Sequence, residues 1–113
     1  MRKVLLLLII LASSSLSAQL GKAELGDYCG DDHASPSRQI QKGLQALNKG
    51  DYPNAGVYIG AALRQNEADQ HALYLRGEWA MRTGKFPVAE GSWKRLVKRC
   101  PGYKPDLLFS LPH

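Results

Sequence analysis

Residues 50–55 read GDYPNA, and residues 84–89, 34 positions further along the chain, read GKFPVA. In each copy a glycine is followed three positions later by a proline, which is the order expected where one helix ends and the next begins. The same offset also superposes Gly43 on Gly77. Internal repetition at this period indicates a helical repeat protein.

Apolar residues recur at helical spacing on both sides of each glycine–proline pair. Gly43 and Gly77 fall inside the first helix of each copy, where a glycine costs about 0.5–1 kcal/mol relative to alanine. The reuse of glycine predicts that the two helices of each copy pack closely at that point. We expect an all-α fold of two stacked antiparallel helix-turn-helix repeats. The predicted helices lie near residues 36–49, 53–66, 70–83 and 87–99.

The chain resembles the tetratricopeptide repeat (TPR) family in its 34-residue period, in the GDYPNA and GKFPVA segments, and in Pro101 at the end of the second copy. The resemblance covers residues 36–103 and divides them into repeats 36–69 and 70–103. It implies an α-solenoid whose first helices line a concave groove that takes protein or peptide segments. Another family of short helical-pair repeats is the alternative.

The implied groove would be lined by residues of the first helix of each repeat. Carried over position by position, these are Ile40, Leu44, Leu47, Asn48, His71, Tyr74, Glu78, Met81 and Arg82. Their mixture of apolar, aromatic and polar side chains suits an adaptable protein interface. The alternative is that the chain before residue 36 covers several of them, because the ends of a short solenoid need covering.

The chain begins with two basic residues after the methionine, an unbroken apolar run over residues 4–12, and small residues up to Ala18. This is the pattern of a secretory signal peptide over residues 1–18. A retained membrane anchor is the alternative, but the run is shorter than the about 20 apolar residues that span a bilayer. We therefore expect an exported protein, periplasmic or secreted, in which residues 19–35 form a polar lead-in to the repeats.

The composition of the 113 residues is 44% hydrophobic and 22% charged, which is typical of one small globular domain and not of a disordered chain. A body of this size has little room for an internal cofactor pocket. The sequence contains neither a phosphate-binding glycine loop nor a nucleophile elbow. We therefore expect a non-enzymatic protein without a cofactor.

Both cysteines, Cys29 and Cys100, follow the predicted signal peptide. An even cysteine number in a small exported domain predicts a disulfide, and two unpaired thiols are the alternative. Closing a loop of about 70 residues would contribute on the order of 4 kcal/mol in the chain-entropy model. Asp31, Asp32 and His33 stand near Cys29, but no second ligand pair follows at a recognisable spacing, so no metal site is expected.

Charge is unevenly distributed, because residues 19–69 carry a formal −2 and residues 70–113 a formal +5. On the last predicted helix, a basic patch is formed by Lys94, Arg95, Lys98 and Arg99. The patch could make weak contacts with an anionic surface or an acidic partner, and a solvated outer face is the alternative. Nucleic acid is not expected as a partner because no aromatic residues are interleaved to stack bases.

Residues 104–113 contain four large apolar residues and are predicted to form a helix. This helix would cap the repeats, mediate self-association, or open a third repeat of a longer protein. Taken together, the sequence predicts an interaction module of the cell envelope or secreted space that binds a protein or peptide segment. The alternatives are a surface protein that binds anionic partners through the basic patch, or the N-terminal part of a larger TPR-containing envelope protein.

Overall fold

The computed structural model describes residues 21–30 and 35–104. Within these ranges there is no strand, and the four helices are α1 (Arg38–Lys49), α2 (Tyr52–Gln65), α3 (Gln70–Arg82) and α4 (Phe86–Arg99). The predicted all-α fold with four helices is therefore confirmed, with each helix end within two residues of its predicted position. The predicted signal peptide and the predicted C-terminal helix after Lys104 lie outside the described ranges, as do Asp31, Asp32 and His33.

The helix starts follow from side chains that cap the free backbone N–H groups of a first turn. Ser37, Asp51 and Asp69 each accept a hydrogen bond from the backbone N–H three residues later, at 3.3, 3.5 and 3.1 Å. The helix α4 has no side-chain cap of this kind at Lys85. The capping oxygens explain why α1 begins at residue 38 and not at residue 36.

The turns inside both hairpins depend on glycine. Gly50 and Gly84 follow the ends of α1 and α3 with φ of 79° and 77°, a left-handed conformation that side-chain-bearing residues rarely adopt. The backbone N–H of Gly50 donates to the carbonyl of Leu47 at 3.1 Å, which satisfies a carbonyl of the last helical turn. The glycine–proline pairs of the repeat therefore mark the two tight turns.

The helix α1 packs on α2, and α3 packs on α4, so the described helices form two hairpins that meet through contacts of α3 with α1 and α2. A Cβ atom placed on Gly43 would lie 3.1 Å from Cγ1 of Ile59 in α2. A Cβ atom on Gly77 would overlap the indole of Trp93 in α4. The predicted close approach at both glycines is therefore confirmed.

The core lies between the two hairpins, and its largest fully buried side chains are Ile40, Leu47, Leu73, Leu75, Leu96 and Cys100. Cys100 follows the last helix, and two further residues outside the described helices belong to the core, because Ala23 and Tyr103 are 3% and 2% exposed. Among the described helices, none combines the length and the apolar character that crossing a bilayer requires.

Candidate functional site

Residues 21–30, the described part of the predicted lead-in, form a lead-in segment that lies without regular secondary structure across the surface of α1 and α3. At one end, the carbonyl of Gly21 accepts a hydrogen bond from Nη2 of Arg82, the last residue of α3, at 2.8 Å. At the other end, Cys29 is hydrogen-bonded to Gln70, the first residue of α3. The lead-in segment therefore runs antiparallel to α3 along the length of that helix.

Two side-chain amides hold the lead-in segment by its backbone. The N–H of Ala23 donates to Oδ1 of Asn48 at 2.8 Å, and Nδ2 of Asn48 donates back to the carbonyl of Ala23 at 3.0 Å. Gln70 makes the same pair of bonds with Cys29, at 2.8 and 3.0 Å. Each amide thus satisfies both backbone groups of one residue, as a neighbouring strand would.

This pair of hydrogen bonds is not specific to one sequence. Every residue of a peptide has a backbone carbonyl, and every residue except proline has a backbone N–H. The amides of Asn48 and Gln70 therefore bind the chain without reading a side chain. The surface that they form on α1 and α3 has the chemistry of a site for an extended peptide.

A cluster of rings lies beneath the middle of the lead-in segment. Nδ1 of His71 and the hydroxyl of Tyr103 are 2.6 Å apart, and the two ring centroids are 5.5 Å apart. The ring of Tyr28 packs on His71 at 5.4 Å, and the ring of Tyr74 packs on Tyr103 at 5.6 Å. The hydroxyl of Tyr74 also accepts a hydrogen bond from the backbone N–H of Glu24 at 3.3 Å. The cluster therefore joins α3 to the lead-in segment, which contains Tyr28, and to the chain after α4, which contains Tyr103.

Burial sets the protonation states in this cluster. It lowers the pKa of His71, an effect that the nearby carboxylate of Asp69 partly opposes. It raises the pKa of Tyr74 and of Tyr103 well above the ordinary value of 10.0. At neutral pH the imidazole and both phenols are therefore uncharged, and Nδ1 of His71 and the Tyr103 hydroxyl share a neutral hydrogen bond.

The lead-in segment is also attached covalently. Cys29 and Cys100 form the predicted disulfide, with their Cα atoms 5.6 Å apart and a sequence separation of 71 positions. Cys100 directly follows α4 and is 1% exposed. Close to it, the backbone N–H of Asp27 donates to the carbonyl of Tyr103 at 3.1 Å, and a Cβ atom on Gly26 would collide with that carbonyl. The disulfide and this close approach fix the end of the lead-in segment against the end of α4.

The structure divides the nine predicted groove residues into three groups. Ile40 and Leu47 are 0% and 1% exposed and belong to the core, with Leu44 partly buried beside them. The residues that touch the lead-in segment through their side chains are Asn48, His71, Tyr74 and Arg82. These four are brought together on one surface, and the lead-in segment is what they hold. The alternative weighed from the sequence, coverage by the chain before residue 36, describes this arrangement.

The two remaining groove residues, Glu78 and Met81, form the third group. Glu78 accepts a hydrogen bond from Nη2 of Arg82 at 3.3 Å, one turn along α3. Met81 is 42% exposed. The use of these nine residues in binding a separate partner remains a prediction.

Gln70 and Tyr103 contribute to the site and were absent from the residues predicted from the sequence. Gln70 stands at the start of α3, before the apolar pattern of that helix begins. Tyr103 follows the Pro101–Gly102 break, outside the predicted helices. Neither has a spacing signal, because their hydrogen bonds, from Gln70 to Cys29 and between Tyr103 and His71, join residues 41 and 32 positions apart in sequence.

The basic patch lies on the exposed side of α4. Nζ of Lys94 lies 2.5 Å from Oε1 of Glu90, and Nη2 of Arg95 donates to the carbonyl of Glu67 at 3.2 Å. Lys98 and Arg99 are exposed in the last turn of α4. Cations at this end of a helix are favoured by the helix dipole, which fits the solvated interpretation of the patch as well as the binding one.

Among the residues that the structure describes, no group of three or more His, Cys, Asp or Glu side chains is placed to hold a metal ion. Comparisons with protein-family models, with curated proteins and with solved structures each found no match. The class that the fold and the site define is a small disulfide-bonded helical protein that holds an extended segment on one face.

Proposed function

We propose that this protein is an exported, non-enzymatic interaction module of two TPR-like repeats, and that its α1–α3 surface binds an extended segment of a partner protein. One observation carries the proposal: Asn48 and Gln70 each bond to both backbone groups of one residue in the lead-in segment. Because backbone groups are common to all peptides, a partner segment would find the same four bonds.

The architecture supports the same proposal. The helices α1 and α3 are the first helices of the two predicted repeats, and they supply the surface on which the lead-in segment lies. The resemblance to TPR proteins implies that first helices face the ligand. Gly50 and Gly84 adopt the same left-handed turn conformation at equivalent places in the two repeats, which supports a duplicated hairpin.

Export is part of the proposal and is supported by the disulfide between Cys29 and Cys100. A structural disulfide persists in the oxidising periplasm or extracellular space and is rare in the cytoplasm of ordinary cells. The pattern of residues 1–18 points to the same compartments.

A partner segment has to compete with the chain's own lead-in segment. The disulfide holds this segment beside the surface, and short tethers of this kind give effective concentrations in the millimolar range. A partner is therefore expected to bind weakly while Cys29 and Cys100 are joined, and more tightly once the bridge is absent.

Fluorescence anisotropy tests the proposal with a labelled peptide spanning residues 21–30 and carrying Cys29→Ser. The two proteins compared are the oxidised mature chain and a variant with Cys29→Ser, Cys100→Ser and Gly26→Ala, in which the lead-in segment is neither bridged nor able to approach Tyr103 closely. We expect saturable binding to the variant, at least about tenfold tighter than to the oxidised chain, because the lead-in segment, still joined to α1 by the chain, competes less without the bridge and the close approach.

Two further peptides separate recognition of the peptide backbone from recognition of its side chains. A peptide with Ala23→Pro lacks the N–H that Asn48 accepts and should bind about five- to tenfold more weakly, the value of one hydrogen bond. A peptide that keeps Gly26 and has alanine at its other positions should bind within about tenfold of the parent peptide. The proposal is wrong if the proline peptide binds as tightly as the parent, or if the alanine peptide does not bind, since the surface would then be a slot for this chain's own segment alone.

A further inference from the structure

A cleft of about 830 Å³ opens on the side of α3 away from the lead-in segment, bordered by α2, by the loop after it and by α4. Arg76 and Trp79 supply its α3 wall. They follow Tyr74 by two and five residues, which places them about 200° and 140° around a helix that turns about 100° per residue. The cleft and the α1–α3 surface are therefore separate sites, and this inference does not rest on the proposed function.

Three guanidinium groups line the cleft: those of Arg64 at the end of α2, Arg76 in α3 and Arg95 in α4. Glu67 is its acidic member, so the lining carries a formal +2. The ion pairs in the described part of the chain use other residues, with Arg82 bonded to Glu78 and Lys94 to Glu90. Apart from Glu67, which that sum already includes, no described carboxylate forms an ion pair with these three arginines.

The cleft lining also contains apolar side chains, namely Ile59, Leu63 and the indole of Trp79. The indole is held in place, because its Nε1 donates to the carbonyl of Tyr52 at 2.9 Å and the ammonium of Lys85 lies 4.3 Å from its ring centroid. A ring fixed in this way forms a wall that needs no rearrangement to receive an apolar chain.

The size of the cleft narrows the class of ligand further. Its volume lies in the range of about 300–1,000 Å³ that is typical of sites for small molecules. Guanidinium groups bind phosphate oxygens through paired N–H donors, and a phosphate monoester carries close to two negative charges at neutral pH, which matches the formal +2 of the lining.

We propose that this cleft binds an anionic amphiphile, with a phosphate head held by Arg64, Arg76 and Arg95 and an apolar chain lying on Leu63 and Trp79. The head would bridge three helices that are far apart in sequence. The ligand could be a free amphiphile or a lipid in a membrane surface, since both present a phosphate ester on an apolar chain.

The first test titrates dodecyl phosphate, below its micelle concentration, into the oxidised mature protein by calorimetry and tryptophan emission. We expect saturable binding and a change in emission, because Trp79 lines the cleft whereas Trp93 is only 6% exposed. Dodecyl maltoside, with the same chain and no charge, should bind at least about tenfold more weakly, in line with the loss of charge-assisted hydrogen bonds. Equal binding of the two compounds, or no saturable binding of the phosphate, would overturn the proposal.

The second test uses matched variants on exposed or half-buried positions that leave the core untouched. Arg76→Gln should weaken binding of dodecyl phosphate about tenfold, because one charge-assisted pair is lost. Lys98→Gln removes the same charge from α4 at a residue outside the cleft lining and should leave binding unchanged. Equal losses in the two variants would mean that only diffuse charge is sensed, and the proposed site would be wrong.

A third measurement separates the two sources of ligand, using sedimentation with phosphatidylglycerol vesicles. Retention that is lost in the Arg76→Gln variant and kept in the Lys98→Gln variant supports a membrane lipid as the ligand. No retention on vesicles together with Arg76-dependent binding of dodecyl phosphate supports a free amphiphile. Retention that both variants keep, with dodecyl phosphate bound independently of Arg76, contradicts a phosphate site in this cleft.

Discussion

Replacement of Gly77 by alanine should separate the two hairpin helices α3 and α4. The added Cβ atom would overlap Nε1 and Cδ1 of Trp93, whose ring is 6% exposed and therefore has little free space to move into. Nε1 of Trp93 also donates to the carbonyl of Tyr74 at 3.4 Å, so displacement of the ring breaks this bond as well. Alanine at this position would force either the indole or the helix out of place.

The magnitude follows from two opposing terms. Overpacking a filled core costs about 1–3 kcal/mol, and the overlap at Gly77 is with a rigid ring, which places the cost at the upper end of this range. Alanine recovers about 0.5–1 kcal/mol of helix propensity. We therefore expect Gly77→Ala to lower the free energy of unfolding by about 2 kcal/mol.

Gly91→Ala is the matched control, because Gly91 lies in α4 and a Cβ atom there would have no neighbour within 4 Å. This variant keeps only the propensity gain and should be more stable than the parent by about 0.5–1 kcal/mol. Gly43→Ala should fall between the two, since its nearest neighbour is Cγ1 of Ile59 at 3.1 Å, which can shift by a small rotation.

Urea unfolding of the oxidised proteins, followed by far-ultraviolet circular dichroism, measures these differences. For a domain of this size, a loss of about 2 kcal/mol moves the midpoint down by on the order of 1 M, provided that the slope of the transition is unchanged. Equal midpoint shifts for Gly77→Ala and Gly91→Ala would refute the reasoning, because the close approach of α3 and α4 at Gly77 is the difference between them.

Three other predictions concern the lead-in segment and its ring cluster. Burial lowers the pKa of His71 below its ordinary 6.5, so the unfolded chain binds more protons than the folded chain near that pH. The free energy of unfolding should therefore fall as pH falls below about 6.5. Urea midpoints measured across this pH range should change less in the His71→Asn variant than in the parent. Replacing Cys29 and Cys100 by serine should lower the free energy of unfolding by on the order of 4 kcal/mol in the chain-entropy model, measured by urea unfolding, and an unchanged midpoint would contradict it. Gly26→Ala should lift the segment from the end of α4, with faster hydrogen exchange at the Asp27 amide and unchanged exchange in α2.

The four helices were predictable because their signals are local. Gly50 and Gly84 mark helix ends through a conformation that glycine adopts at low cost, and the repeat makes each signal count twice. The disulfide was predictable for a different reason, since two cysteines behind a predicted signal peptide leave one possible pairing. In both cases residue types and their spacing along the chain carry the information.

The path of the lead-in segment was not predictable to the same degree. It has no periodic pattern, and its bonds reach from Ala23 to Asn48 and from Cys29 to Gln70, across 25 and 41 positions of sequence. The donors and acceptors on the segment side are backbone groups, which every residue has. The sequence therefore shows the amide side chains of Asn48 and Gln70 but does not indicate which backbone groups they bind.

The arginine-lined cleft was not predictable from the sequence for the same reason. Its residues Arg64, Arg76 and Arg95 belong to three different helices, so no helical spacing in the sequence groups them. The basic patch was predicted from Lys94, Arg95, Lys98 and Arg99 because they follow each other on α4, yet only Arg95 faces the cleft. Adjacency along one helix identified a charged surface, whereas convergence of separate helices made the candidate site.

The α1–α3 surface binds through neutral hydrogen bonds, whereas the cleft binds through charge. The two sites should therefore respond differently to salt and to reduction. The α1–α3 surface holds neutral backbone groups through Asn48 and Gln70, so its affinity should change little with salt. The cleft relies on guanidinium charge, partly exposed, and its affinity should fall as salt screens it. The bridge between Cys29 and Cys100 acts on the first surface alone, because it fixes the lead-in segment and lies outside the cleft lining. Reduction should therefore change peptide binding and leave binding of dodecyl phosphate unchanged, and salt should do the reverse. If reduction and salt changed the affinities for the peptide and for dodecyl phosphate in the same way, the two ligands would share one site.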